Sequence, residues 1–114
     1  MKKLVLLLLV LFSLFSFAKK VNIVILETSD LHGRLFSYDY AIDQVDSSAG
    51  LTKVATIIKE ERAKNKNLIL ADNGDTVQDN NAELFNSMPI HPMIQGLNDL
   101  KYDFWTLGNH EFNF

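Results

Sequence analysis

Val21-Asn22-Ile23-Val24-Ile25-Leu26, followed at once by Glu27-Thr28-Ser29-Asp30, decides the fold. The first six residues are nearly all apolar and mostly β-branched, which predicts a strand buried on both faces. The polar run after it predicts the strand's end. Downstream, Leu51, Val54, Ala55, Ile58 and Arg62 fall at helical spacing, with charges on the opposite face. Ser47 or Ser48 is placed to cap that helix, and Lys64-Asn65-Lys66-Asn67 to end it. Residues 37 to 49, between the strand and the helix, are polar and read as a loop. Leu68-Ile69-Leu70-Ala71 predicts a second short buried strand. Pro92 suits a first helical turn, and Met93, Ile94, Leu97 and Leu100 mark an apolar stripe behind it. Asp103-Phe104-Trp105-Thr106-Leu107 predicts a third strand that stops at Gly108. The order β-α-β-α-β predicts an α/β fold, with right-handed crossovers and a mostly parallel sheet.

Composition narrows the function classes. Of the 114 residues 47% are hydrophobic, but the first eighteen are far richer than the rest. Lys2-Lys3, an apolar run from Leu4 to Phe17 broken only by Ser13 and Ser16, and small residues at Ser16 and Ala18 make the three-part pattern of a signal peptide. The run is shorter than the roughly 20 residues that span a bilayer. Export with cleavage after Ala18 is therefore expected, to the periplasm or the cell exterior, without a stable membrane anchor. Residues 19–114 are then about 42% apolar, an ordinary globular value. The whole chain carries a formal charge of −3, more negative once Lys2 and Lys3 are set aside. An acidic body argues against a nucleic-acid polymer or an anionic membrane as partner. The absence of cysteine excludes a disulfide framework, a thiolate metal site, a thiol nucleophile and a lipidated N-terminal cysteine.

In open α/β sheets ligands bind beyond the carboxyl ends of the strands. The first such end carries Asp30-Leu31-His32-Gly33. In an extended segment residues i and i+2 face the same side, so Asp30 and His32 could share a cation while Gly33 turns the chain. Taken alone, a helix-capping aspartate beside a surface histidine explains the same letters. The second end carries Asp72-Asn73-Gly74-Asp75, where Asn-Gly also suits a hairpin turn. The residues after it do not alternate as a return strand, so a bend that presents Asp75 is favoured. Asp72 reads as a supporting or surface residue. The third end carries Gly108-Asn109-His110-Glu111, in which Asn109 offers a neutral carbonyl oxygen. His110, in extended backbone, points elsewhere and is free for other work. A polar turn with an exposed Glu111 is the plain alternative. Three such clusters together offer carboxylate, imidazole and amide ligands, which suit Zn, Mn, Fe or Mg. Two such ions side by side lower the pKa of bound water and clamp both oxygens of an in-line displacement at phosphorus. Hydrolysis of a phosphate ester is the chemistry this pattern points to.

Asp30-Leu31-His32-Gly33, Gly74-Asp75 and Gly108-Asn109-His110-Glu111, in that order, resemble the first three blocks of the calcineurin-like metallophosphoesterases. The flanks, Glu27 to Gly33, Tyr38-Asp39-Tyr40 and Thr106 to Phe114, are similar to those of exported bacterial 2′,3′-cyclic-nucleotide 2′-phosphodiesterase/3′-nucleotidases. The resemblance implies two divalent metal ions, with Asp30 and His32 on the first, Asp75 bridging and Asn109 on the second. It places His110 at the reacting phosphate and implies a nucleotide substrate. In related 5′-nucleotidases an aspartate three residues after this histidine orients it; here the position is Asn113. That favours a neutral His110 and the cyclic-phosphodiesterase branch. Gln78-Asp79-Asn80-Asn81 departs from the glycine and asparagine that relatives show after the glutamine.

Family members are several times longer and take further histidines and a substrate-binding domain from later segments. Residues 19–114 are thus expected to be the N-terminal part of a metallophosphoesterase domain, incomplete and inactive alone, with the remaining ligands in a C-terminal part. His91, before Pro92, reads as a cap or surface residue. A 5′-nucleotidase, and an exported metal- or ligand-binding module without turnover, are the alternatives.

Overall fold

A computed structural model describes residues 2, 3, 5 and 19–113. Apart from Lys2, Lys3 and Val5, the expected signal peptide lies outside the described residues. Among the described residues no helix is long and apolar enough to cross a membrane.

Three parallel strands form the central sheet, in the order β1 (Val24–Thr28), β4 (Leu68–Asp72), β5 (Phe104–Trp105). β1 and β4 pair in register from Val24 with Leu68 to Thr28 with Asp72. β5 is shorter than expected, although Asp103 N–H and Thr106 N–H extend its contact with β4 by donating to Leu70 O and Asp72 O, each at 2.8 Å. Helix α1 (Leu51–Lys64) joins β1 to β4, and helix α2 (Pro92–Asp99) joins β4 to β5. Both crossovers step the same way along the sheet, so right-handed connections put both helices on one face. Leu51 from α1, Met93 and Leu97 from α2, and Val77 and Ala82 from the connecting loop make the core there. Arg62 near the end of α1 donates to Leu100 O and Lys101 O and ties the two helix ends together. The opposite face is open among the described residues, with Ile25 66% and Phe104 64% exposed. β1 is therefore half-buried rather than buried on both faces, because no element described here packs on its outer side.

Three local expectations change. Residues 37–49 contain a small antiparallel hairpin, β2 (Tyr38–Asp39) with β3 (Gln44–Val45). Asp39 Oδ1 accepts from Ala41 N–H at 2.9 Å and makes the turn, so this segment is not loop throughout. Neither Ser47 nor Ser48 caps α1: its N-cap is Gly50, and Ser48 is held by Asp46 Oδ1. α1 does end at Asn65, whose N–H donates to Glu61 O. His91 is the N-cap of α2, accepting from Met93 N–H through Nδ1 at 3.2 Å, with Pro92 in the first turn.

Candidate metal centre

The carboxyl ends of β1 and β4 are locked together by one buried carboxylate. Asp72 is fully buried, and its oxygens accept from Thr28 Oγ1 at 2.6 Å, Thr76 Oγ1 at 2.6 Å and Gly74 N–H at 3.0 Å. A buried carboxylate with both oxygens hydrogen-bonded is a structural strut. Asp72 is thus a supporting residue as expected, and a buried one rather than a surface one.

Beyond the strands the two chains stay paired. Asp30, His32 and Gly33 donate their backbone N–H groups to Gly74 O, Asp75 O and Thr76 O at 3.0, 2.9 and 2.8 Å. That ladder brings Asp30 and His32 beside Asp75. The backbone is not extended there, since Asp30, His32 and Asp75 have φ of 56°, 44° and 56°. Left-handed backbone is uncommon for residues with a Cβ and concentrates where surrounding contacts enforce it. Asp30 and His32 meet because of this coiled backbone, with Asp30 Oδ1 3.8 Å from His32 Nε2, and not through an i, i+2 strand alternation. Asn73-Gly74 makes a bend and no hairpin, with Gly74 at φ 95°.

The third strand end is pressed against the second. A Cβ on Gly74 would come within 2.3 Å of Gly108 N, and one on Gly108 within 2.2 Å of Asp75 Oδ1. Only two glycines permit that approach. Glu111 then clamps the junction. Its Oε2 accepts from Asp75 N–H at 2.9 Å and Gly108 N–H at 2.7 Å; its Oε1 accepts from Thr76 N–H at 2.6 Å and Val77 N–H at 3.2 Å. Burial pushes the Glu111 carboxyl up, but these four backbone donors outweigh it and hold the group below the usual glutamate range. Glu111 was legible only as an exposed turn residue, although its place three positions after Gly108 has capping-box spacing.

Asn109 to Phe112 form a 3-10 turn. His110 N–H donates to Asp75 Oδ1 at 3.0 Å, and His110 Nδ1 donates to Gln78 Oε1. Gln78 Oε1 also accepts from Asn113 Nδ2 at 2.7 Å. Asn113 therefore reaches the imidazole only through Gln78, a residue for which the sequence had suggested no role. Asn109 is exposed at the start of this turn. It and His110 diverge because successive residues of a 3-10 helix point about 120° apart, not because the backbone is extended. The His110 and His32 rings meet edge to face, with centroids 5.0 Å apart.

Among the described residues, two groups of ligand atoms converge within 4.8 Å: Asp30, His32 and Asp75, and His32, Asp79 and His110. His32 belongs to both. Its Nδ1 is buried and makes no hydrogen bond among the described residues. Oxygen and imidazole donors without thiolate, and an orphaned ring nitrogen among them, fit divalent cations of hard to borderline character. Asp30, His32 and Asp75 are thus brought together, with His110 beside them, while Asn109, the fourth ligand expected, stands exposed at the start of the 3-10 turn.

Residues 23–114 match the model of the calcineurin-like phosphoesterases. The chain is 38% identical over 109 residues to the trifunctional nucleotide phosphoesterase protein YfkN of Bacillus subtilis, covering 87% of this chain and 8% of that protein. It is 37% identical over 103 residues to a 2′,3′-cyclic-nucleotide 2′-phosphodiesterase/3′-nucleotidase of Salmonella typhimurium, covering 85% of this chain and 16% of that protein. The crystal structure of the calcineurin-like phosphoesterase YfkN superposes with a TM-score of 0.74 at 39% identity, covering 80% of this chain and 30% of that one. The chain thus spans less than a fifth of the length of these two curated relatives. With this three-stranded parallel sheet and this cluster at its carboxyl end, the chain belongs to the calcineurin-like phosphoesterases, metal-dependent hydrolases that bind two metal ions.

Proposed function

We propose that the chain forms part of an exported phosphoesterase that hydrolyses 2′,3′-cyclic nucleotides and 3′-nucleotides to nucleosides and phosphate. The convergence of Asp30, His32 and Asp75 from two adjacent strand ends, with His110 alongside, carries this reading. Asp30 and His32 would hold one divalent cation, Asn109 would offer its amide oxygen to a second, and Asp75 would serve both. Such a pair supplies Lewis-acid polarisation of a phosphoryl oxygen and activation of water.

The rest is done by the protein's own side chains. His110 donates Nδ1–H to Gln78, which leaves Nε2 as the reactive nitrogen. At the phosphate it stabilises developing charge or assists the leaving oxygen. Glu111, through four backbone N–H groups, keeps the Asp75 loop in the one conformation that faces His32.

Branch choice rests on Asn113 and on the similarity to the Salmonella enzyme. Export rests on Lys2-Lys3 and the apolar run up to Ala18. Assay of the intact protein on 2′,3′-cyclic AMP, 3′-AMP and 5′-AMP, with Mn2+ or Zn2+ present, tests the function. Turnover of the first two above 5′-AMP is expected, and a preference for 5′-AMP overturns the substrate assignment in favour of a 5′-nucleotidase.

A further inference from the structure

Asp79 takes no part in the roles above, yet it stands against the same histidine. Its Oδ2 lies 3.1 Å from His32 Nδ1, the buried nitrogen that makes no hydrogen bond. The carboxylate is within reach and out of line. Across the ring, Nε2 faces Asp30 Oδ1. Asp79-Asn80 also meets the His32-Gly33 backbone at two points. Asn80 Nδ2 donates to the His32 carbonyl, and Asp79 O lies where a Cβ on Gly33 would come within 2.5 Å of it. Asp79 N–H is itself fixed by Glu83 Oε1 at 3.0 Å. Asp79 and Asn80 have φ of 75° and 57°, so this loop keeps two side-chain-bearing residues in left-handed backbone beside the site.

We propose that Asp79 is a positioning residue for His32. It accepts the Nδ1 proton after a small rotation of either group, fixes the Nδ1–H tautomer, and leaves the Nε2 lone pair facing Asp30 for a cation. This rests on the metal-centre reading above. Metal-ligating histidines generally donate their other ring N–H to a carboxylate, carbonyl or water, which sets ring orientation and raises ligand basicity. A buried nitrogen within 3.1 Å of a carboxylate oxygen has no other acceptor so well placed among the described residues. The competing arrangement is a cation held by His32, Asp79 and His110. It would draw His32 and His110 onto one ion and leave Asp30 and Asp75 without an imidazole, so the tautomer lock is favoured.

Long-range proton–nitrogen NMR on the intact 15N-labelled protein, free of metal and at a pH where imidazoles are neutral, reads the tautomer of His32. The wild type is expected to carry the proton on Nδ1. Asp79→Gly removes the carboxylate while relieving the left-handed backbone, so the variant is expected to fold. It should shift His32 toward the Nε2–H form and weaken Mn2+ or Zn2+ binding by about 10- to 100-fold. Asp79→Asn keeps an accepting oxygen and should retain the Nδ1–H form with a smaller loss. An unchanged tautomer in Asp79→Gly overturns the proposal. So does the loss of one whole ion per chain at saturating metal, which would make Asp79 a ligand. Unaltered Mn2+ binding in Asp30→Asn and Asp75→Asn overturns the metal-centre reading instead, and the tautomer, measured without metal, still decides the Asp79 bond.

Discussion

His110 is held by Gln78, whose side-chain oxygen accepts the imidazole Nδ1–H and, at 2.7 Å, the Asn113 amide as well. One neutral amide thus orients the histidine, and Asn113 orients that amide. Removing Gln78 frees the ring, whereas removing Asn113 leaves the direct bond in place. Gln78→Ala is expected to lower kcat by roughly 10- to 100-fold with a smaller change in KM, since misplacing a reacting group costs about that much. Asn113→Ala should cost clearly less. Steady-state kinetics on 2′,3′-cyclic AMP compare the two, and a larger loss in Asn113→Ala would contradict this order of support.

Asp75 serves two strand ends at once. Its carboxylate groups with Asp30 and His32, and its Oδ1 accepts the backbone N–H of His110. Asp75→Asn keeps the shape and removes the charge. Bound metal in the intact protein, counted by elemental analysis, is expected to fall, and turnover to drop by on the order of 100-fold or more, as for a loss of several kcal/mol of charge stabilisation. Chelation of the wild type should reproduce the loss, and added Mn2+ or Zn2+ should restore it. Near-normal turnover in Asp75→Asn would sink the bridging role.

Glu111 supports the Asp75 loop, and its depressed pKa makes that support depend on pH. A carboxylate whose folded pKa lies below its unfolded value stabilises the fold above the unfolded pKa, about 4.3 for glutamate. The contribution disappears as pH falls through the folded pKa. Urea unfolding is expected to show a stability difference between wild type and Glu111→Gln at pH 7, on the order of 2 kcal/mol from unsatisfied backbone donors. The gap should narrow below about pH 4. A gap that stays constant with pH would assign the effect to packing.

Gly108 lies where any side chain would strike Asp75 Oδ1. Gly108→Ala must therefore push the Asp75 carboxylate or its loop aside. The expected cost is about 1–3 kcal/mol of stability, as for overpacking elsewhere. Metal affinity should suffer as well, because the displaced carboxylate belongs to the cluster. Thermal unfolding and metal titration check both, and a variant that loses neither would show that the two strand ends are free to separate.

The sequence by itself determined the order of the three sheet strands and the two helices, the α/β class and the residue types that stand at the strand ends. Hydrophobic periodicity is a local property, and Asp30, His32, Asp75, Asn109 and His110 are legible as residue types at strand ends. What it could not determine is how those residues meet. The i, i+2 alternation expected for Asp30 and His32 is replaced by left-handed backbone, enforced by a ladder to residues more than forty positions away. The clamp by Glu111, the Gln78 bond to His110 and the approach of Asp79 to His32 all link segments far apart in sequence. Their partners are chosen by the parallel pairing of β1, β4 and β5. Only that tertiary pairing sets three loops side by side, and the electrostatics of the cluster follow from their contact.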